Sequence, residues 1–197
     1  MIFKAPRICS LLTEILIFFM IQQEESLWFA MRVTYRREQS VYNQLTELGL
    51  KCFLPMQYCL QTKGGQKKRV LVPVVHNLLF VNSKPSVLQD IKQSIPHLQY
   101  ITDSRSHAKI VVPDDQMQRF IAVAGTYNEQ LTYVCPEEVN FKRGSKVRIC
   151  GGEFEGMEGI FVKIKGSRDK RVVVSIEGVV AVALATIHPD LIELIPE

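Results

Sequence analysis

The chain has 197 residues, of which 47% are hydrophobic and 22% are charged. This composition is typical of a globular protein with one large domain or two small ones, and it argues against a mainly disordered chain. The formal net charge is only +4, which excludes a histone-like polycation.

The cysteines and histidines do not form a recognisable metal or disulfide pattern. Five cysteines with no CxxC spacing predict neither a disulfide framework nor a zinc knuckle, and they favour reduced thiols in the cytoplasm. The four histidines show no HExxH spacing, and none lies near a cysteine at metal-ligand distance. We therefore expect no metal site and no cofactor.

The charge is distributed unevenly along the chain. Residues 28–124 carry 13 basic and 6 acidic side chains, whereas residues 125–138 carry 3 acidic side chains and no basic ones. A basic excess confined to one segment favours a polyanionic partner for that segment.

Residues 1–26 are predicted to be an N-terminal extension, possibly non-native. The apolar stretch 8–21 has 14 residues, fewer than the roughly 20 that a membrane-spanning helix needs. It resembles a signal-peptide core, but no small-x-small cleavage site follows it, and Glu14 interrupts it. Two interpretations remain open: a non-native extension with translation starting at Met20, and an extra helix packed on the body.

Residues 27–124 alternate strand patterns with one-faced helical stripes. Strands are predicted at 27–34, 51–61, 69–81 (one or two strands around Pro73), 98–101 and 109–112, and helices at 36–49, 88–95 and after Pro113. The order β-α-β-β-α-β-β-α is the split-βαβ, ferredoxin-like pattern with an antiparallel sheet. We therefore predict an α+β domain over residues 27–124.

After residue 124 the residue pattern is different. Residues 125–138 lack an amphipathic pattern and contain Pro136, which predicts a linker. Residues 139–197 show no helical stripe, and about five short β-rich runs are separated by Gly-rich or charged turns. This pattern predicts a small β-barrel of SH3-like size.

Two segments resemble motifs of one known family. Residues 141–161 (FKRGSKVRICGGEFEGMEGIF) resemble the KOW motif, in which Gly156 and Gly159 would allow tight turns or a close backbone approach. The run WFAMRV from Trp28, the helix ending at Gly49, FLPM from Phe53, a basic hairpin and LLFV from Leu78 resemble the NusG N-terminal (NGN) domain in order and spacing.

An NGN domain, a linker and a KOW domain make up NusG, the bacterial transcription elongation factor, and the resemblance covers residues 27–197. The region 51–81 looks closer to the specialised paralogues RfaH and UpxY, of which UpxY proteins are antiterminators of surface-polysaccharide operons. One departure is clear. NusG usually reads Phe-Pro-Gly-Tyr before a Val-Phe-Val strand, and this chain reads VHNL at 75–78.

The resemblance implies that the NGN domain docks on the clamp helices of RNA polymerase through an apolar patch. The matching positions are Trp28, Phe29, Val75, His76, Asn77, Leu78 and Phe80. Taken alone, the apolar members Phe29, Val75 and Phe80 fit a protein core better than a docking patch, and for Asn77 a turn role is the alternative.

Two basic patches are candidate contacts to the DNA of the elongation complex. The turn region 62–69 concentrates Lys63, Lys67, Lys68 and Arg69, where charges on a loop tip can reach phosphates. The resemblance places Arg36 and Arg37, at the start of the first helix, in a second such patch. The alternative is a solvated hairpin whose charges keep a sheet edge from aggregating.

By the same resemblance, the KOW domain would recruit a third protein, such as the ribosomal protein NusE or the terminator Rho. Phe154 falls on the family's exposed aromatic position, with Arg148 nearby, whereas Phe161 fits the core better.

No arrangement of residues supports catalysis, so we expect a monomeric, cytoplasmic, non-enzymatic protein without membrane contact. The favoured function is transcription elongation and antitermination. The alternatives are a housekeeping NusG that assists Rho-dependent termination and a ribosome-associated RNA-binding KOW protein.

Overall fold

The structure is a computed structural model that describes residues 24–134, 139–140, 144–152, 154–164, 170–176, 178–184, 187 and 189–196. Within the predicted N-terminal extension, only residues 24–26 belong to the described part, so the apolar stretch 8–21 lies outside it.

The first part of the chain alternates strands and helices as its apolar periodicity indicates. The elements are β1 (Leu27–Val33), α1 (Glu38–Glu47), β2 (Lys51–Phe53), β3 (Met56–Lys63), β4 (Gln66–Pro73), β5 (Leu78–Ser83), α2 (Pro85–Ser94), β6 (Leu98–Tyr100), β7 (Val111–Val112) and α3 (Asp114–Ala124). The predicted strand 51–61 is divided in two at Pro55, whose missing N–H cannot serve a ladder. The run 69–81 is likewise divided after Pro73.

The main sheet of this part is antiparallel, with the order β2-β5-β1-β6 and with β7 paired to β1. Successive side chains of β1 point to opposite faces. Phe29 and Met31 pack with residues of α1 and α2, such as Leu45 and Leu88. We call this the helix-covered face.

The opposite face of the sheet belongs to a second core. Trp28 and Ala30 of β1 join a cluster with Phe120 of α3 and with side chains of the C-terminal part, including Val147 and Val172. We call this the shared face, because residues from both halves of the chain bury it.

The strands β3 and β4 form a hairpin that pairs with neither of the larger sheets. Its turn is Gly64-Gly65, with φ values of 60° and 78°, a conformation that glycine adopts without strain. The N–H of Val74 donates to the carbonyl of Pro55 and closes the base of the hairpin.

The C-terminal part is a six-stranded antiparallel sheet, with the order β13-β9-β10-β11-β12-β8. Its strands are β8 (Thr132–Val134), β9 (Ser145–Ile149), β10 (Glu158–Lys163), β11 (Lys170–Ile176), β12 (Val180–Ala183) and β13 (Ile192–Leu194). The described strands thus confirm a β-rich second part. Closure into an SH3-like barrel stays a prediction, because β13 and β8 end the path without pairing with each other among the described residues.

A close backbone approach explains one glycine of the predicted KOW motif. A Cβ on Gly159 would lie 2.7 Å from Val172 Cγ1 and 2.9 Å from the Val173 carbonyl oxygen. Any larger side chain would therefore push β10 away from β11. Gly156 has a φ of 80° and serves the preceding turn.

The segment between the two halves differs from the predicted linker 125–138. Thr132–Val134 is strand β8, which pairs with β12 at the edge of the C-terminal sheet. We call residues 125–131 the connector. Leu131 at its end is buried in the shared core, so the connector leads directly into packed structure. Residues 135–138 lie outside the described part.

Candidate functional site

The predicted apolar patch is divided between the two faces of the sheet. Trp28, Leu78 and Phe80 lie on the shared face, whereas Phe29 lies on the helix-covered face. The antiparallel register explains this division, because Phe29 pairs with Val81 and Ala30 pairs with Phe80. Phe29 is therefore a core residue in this structure, as its alternative interpretation held.

The shared-face residues are inaccessible in this arrangement. Trp28 is 2% exposed, Leu78 3% and Phe80 0%. The indole Nε1 of Trp28 donates to Asp114 Oδ1 at 3.2 Å, which ties β1 to the first turn of α3. Helix α3 in turn contacts β11 and β12 of the C-terminal sheet, so the apolar face is covered by α3 and the second half of the chain.

The turn before β5 holds the exposed members of the predicted patch. His76 and Asn77 are exposed, and Val75 is half-buried. Asn77 has a left-handed φ of 61°, which asparagine tolerates better than most residues. Its backbone N–H donates to Glu38 Oε1 at 2.7 Å, and Glu38 is buried.

An open cleft of about 700 Å³ lies beside this turn. Arg32, Tyr35 and His76 line it from the N-terminal domain, and Gly178 and Val179 line it from the C-terminal sheet. The cleft therefore places basic and aromatic groups at the boundary of the two halves.

The second predicted basic patch contains a strained turn. Tyr35 and Arg36 both have left-handed backbones, with φ values of 63° and 54°, which cost a non-glycine residue roughly 1–2 kcal/mol each. Tyr35 is 79% exposed, and its ring meets that of His97 edge-on. Arg37 Nη1 donates to His97 Nε2 at 3.0 Å.

The basic hairpin presents its charges to solvent. Lys67, Lys68 and Arg69 are all exposed on β4. The backbone of Lys63 ends β3 opposite Gln66. Strand alternation puts Lys67 and Arg69 on one face of the hairpin and Lys68 on the other. These three cations repel one another, and a bound anion would relieve that repulsion, so β4 favours anion binding.

Arg69 also reaches the connector. Its Nε donates to Glu129 Oε1 at 2.9 Å, and its guanidinium lies 4.2 Å from the ring centroid of Tyr58. Tyr58 meets Tyr127 edge-on, at 6.4 Å between ring centroids. The hairpin is therefore in contact with the segment that joins the two halves.

The two residues expected to bind a third protein differ in accessibility. Arg148 is half-exposed and pairs with Glu158 at 2.6 Å; its hydrogen bond holds the pKa of the Glu158 carboxyl below its usual range. Phe154 is only 9% exposed and belongs to the shared core. The expectation of an exposed ring is therefore wrong for this arrangement, in which the ring belongs to a buried cluster with members from both halves of the chain. Phe161 is partly buried against the same core, with Lys170 Nζ 5.7 Å from its ring centroid.

Sequence reasoning missed several residues that the structure brings to these surfaces. Tyr35 carried no helical or strand signal, although a tyrosine before two arginines could have marked it. Glu38 and Glu129 gain their roles from partners 39 and 60 positions away, and no local pattern reports such contacts.

The described ranges offer neither a group of metal ligands nor a membrane-spanning helix. No group of three or more histidine, cysteine, aspartate or glutamate side chains there could hold a metal ion. In the same ranges, no helix has both the length and the apolar character needed to cross a membrane.

Comparisons with known proteins give a family for the first half of the chain. Residues 26–121 match the family model described as "Transcription termination factor nusG". No curated protein sequence matches the chain significantly. A solved structure titled "Domain interaction in Thermotoga maritima NusG" is similar at 18% identity, over 87% of this chain and 98% of that chain, with a TM-score of 0.46. That distant likeness supports no assignment by itself. The match over residues 26–121, which spans the main sheet, the hairpin, α1, α2 and most of α3, shows that this part of the chain is a domain of the NusG family.

Proposed function

We propose that this chain is a transcription elongation and antitermination factor that binds RNA polymerase, suppresses pausing or termination, and recruits a further protein through its C-terminal part. The observation that carries the proposal is the match of residues 26–121 to the NusG family. The geometry adds an apolar sheet face, a basic hairpin and a second, β-rich part on one chain.

Polymerase binding is assigned to the shared face and its edge. Trp28, Leu78 and Phe80 supply apolar area, but α3 and the C-terminal sheet bury them. The clamp helices can reach this face only when the C-terminal sheet moves away from it. His76 and Asn77, which are exposed at the edge, make the first contact with the polymerase in this account.

Nucleic-acid binding is assigned to the two basic patches. Lys67, Lys68 and Arg69 project from a hairpin that is free of both larger sheets, so phosphates can approach them without disturbing a core. Arg36 and Arg37, beside the exposed ring of Tyr35, form the second patch. An exposed aromatic ring next to cations suits an unpaired base next to its phosphates.

The specialised role, of the RfaH or UpxY type, is proposed from the 75–78 segment, which lacks the proline and tyrosine of housekeeping NusG. The left-handed Asn77 keeps the glycine-like turn, so the side chains rather than the backbone path are altered. Changed side chains at a polymerase contact favour a factor with its own set of targets.

A pause-escape assay on purified elongation complexes tests the proposal. The full chain should shorten the half-life of a pause, and it should co-purify with the core polymerase. Unchanged pausing together with absent polymerase binding would overturn the proposal. Binding to a ribosomal subunit in the same experiment would favour the RNA-binding alternative.

Assistance to Rho is the second candidate, because the matching family model is described as a termination factor. The same elongation complexes, supplied with Rho, distinguish the two. Increased transcript release on adding the chain supports termination, whereas decreased release supports antitermination.

A further inference from the structure

The hairpin of β3 and β4 lacks the support that a sheet normally gives. An isolated two-stranded hairpin is marginally stable in water, and this one pairs with neither larger sheet. At its base, Met56 packs against the core on the helix-covered face; further contacts to described residues of the hairpin come from the connector, residues 125–131. The hairpin and the connector therefore stabilise each other.

Three side chains of the hairpin hold the connector. Gln57 Nε2 donates to the carbonyls of Asn128 and Leu131, at 3.0 and 3.2 Å. Tyr58 packs edge-on against the ring of Tyr127. Arg69 Nε donates to Glu129 Oε1 at 2.9 Å. Gln57 and Tyr58 are neighbours in β3, so their side chains lie on opposite faces of the hairpin. The connector is therefore contacted from both faces.

The connector is also strained and directly joined to the C-terminal sheet. Tyr127 has a left-handed φ of 54°, a conformation that persists only when surrounding contacts impose it. Leu131 immediately precedes β8, which forms the edge of the C-terminal sheet through its pairing with β12. Displacement of the connector is therefore transmitted to β8 through continuous backbone.

We propose that the hairpin and the connector form a latch that nucleic acid opens. With no nucleic acid bound, Arg69 holds Glu129 and the connector stays docked. A phosphate bound at Arg69 takes the place of the Glu129 carboxylate, which frees the connector and, with it, the edge of the C-terminal sheet. The latch rests on the proposed nucleic-acid contact of the hairpin, and it adds regulation to that contact.

The competition follows from charge and position. Glu129 and a phosphate are both anions that need the same guanidinium, and the ring of Tyr58 keeps that guanidinium in place at 4.2 Å. Lys67, on the same face of the hairpin, adds attraction for a phosphate on the neighbouring position. The Arg69 and Glu129 side chains are 60% and 55% exposed, so their ion pair contributes little to stability and a phosphate can replace Glu129 readily. The coupling between phosphate binding and release of Glu129 is therefore about 5-fold at most.

Hydrogen exchange on the full chain, with and without a DNA duplex of about 20 base pairs, tests the latch. The readout is the peptide that covers residues 126–131, whose amides of Tyr127 and Leu131 bond within the connector or to α3. We expect DNA to accelerate exchange there by about 3- to 5-fold, the size of the coupling. Glu129→Gln should accelerate connector exchange in the absence of DNA, and DNA should then cause no further acceleration. Because coupling between two sites is reciprocal, the same variant should bind DNA more tightly by the same factor.

Glu47→Gln is the matched control, because Glu47 is exposed at the end of α1 and its loss changes the net charge equally. It should leave connector exchange and DNA affinity unchanged. Two results would overturn the latch while sparing DNA binding. One is DNA that binds at the hairpin without accelerating connector exchange, and the other is a Glu129→Gln variant that binds DNA more tightly with an unchanged connector. If changing Lys67 and Lys68 to Ala leaves DNA binding intact, the hairpin contact itself is wrong, and the latch fails with it.

Discussion

Glu38 accepts a 2.7 Å hydrogen bond from the backbone N–H of Asn77, and it does so from a buried position in the first turn of α1. The bond fixes the turn that leads into β5, where Asn77 is left-handed. A carboxylate thus serves as an internal brace for the segment that departs from the usual NusG pattern. Asn77 therefore has the structural role of a turn residue, whatever its contact with a partner.

Removing this brace should destabilise the domain. Glu38→Ala leaves the N–H of Asn77 without its partner, which should lower the free energy of unfolding by about 1–3 kcal/mol. Glu38→Gln retains an acceptor oxygen and should lose less. Asn77→Gly should be nearly neutral, since glycine adopts the same φ. Urea titrations of the three variants give the order, and an Asn77→Gly variant less stable than Glu38→Ala would contradict the role of the brace.

The basic hairpin should control the salt dependence of DNA binding. Changing Lys67, Lys68 and Arg69 together to Ala should flatten the log–log salt slope by roughly 2–3 units. The slope is measured by titrating a labelled duplex at several salt concentrations.

Lys92, Arg105 and Lys146 changed to Ala serve as the charge-matched control, since these cations lie outside both basic patches. Their removal should leave the slope nearly unchanged. Equal flattening in both variants would mean that only the overall charge matters.

The elements of the fold could be predicted from the sequence, whereas their docking could not. Apolar stripes and the two prolines at 55 and 73 determine where strands and helices start and stop. In contrast, Gln57 meets Leu131 across 74 positions, and one buried cluster joins Phe154 to Trp28 and Phe120 of the first half. Such contacts depend on how complete elements pack, and periodicity within one element contains no information about them. The β8 strand was missed because three residues are too few to show alternation.

Phe154→Ala should now report on packing rather than on partner recruitment alone. The ring is buried in the shared core, and its loss should cost about 3 kcal/mol in the free energy of unfolding, through the cavity that it leaves. Thermal or urea unfolding measures this cost. A change below about 0.5 kcal/mol, the range of surface substitutions, would restore the interpretation of Phe154 as an exposed contact.

Cys52 should resist alkylation in the folded protein. Burial disfavours its thiolate and raises its pKa to about 12, so at pH 8 only about one thiol in ten thousand is ionised. Iodoacetamide should modify Cys52 rapidly in urea and very slowly without it, as judged by peptide mass spectrometry. Rapid modification in the folded state would mean that β2 is not packed as described.

His76→Ala should weaken polymerase binding without affecting stability. The side chain is exposed at the edge of the shared face, so its removal leaves no cavity, and a lost interface contact of about 1 kcal/mol lowers affinity about 5-fold. Gln93→Ala is the control, because Gln93 is exposed on α2, which packs on the helix-covered face. Equal affinities for the two variants would remove His76 from the contact.

The affinity of core RNA polymerase for the full chain and for a fragment of residues 24–124 tests the central claim most directly. The fragment retains the main sheet, the three helices and the hairpin, and circular dichroism establishes that it is folded before binding is measured. The fragment keeps α3, which contacts Trp28 and Phe80, but it lacks the C-terminal sheet that packs on α3. With one of the two covering layers gone, we predict that the fragment binds the polymerase more tightly than the full chain does. A folded fragment that does not bind the polymerase would contradict the assignment of polymerase binding to this face.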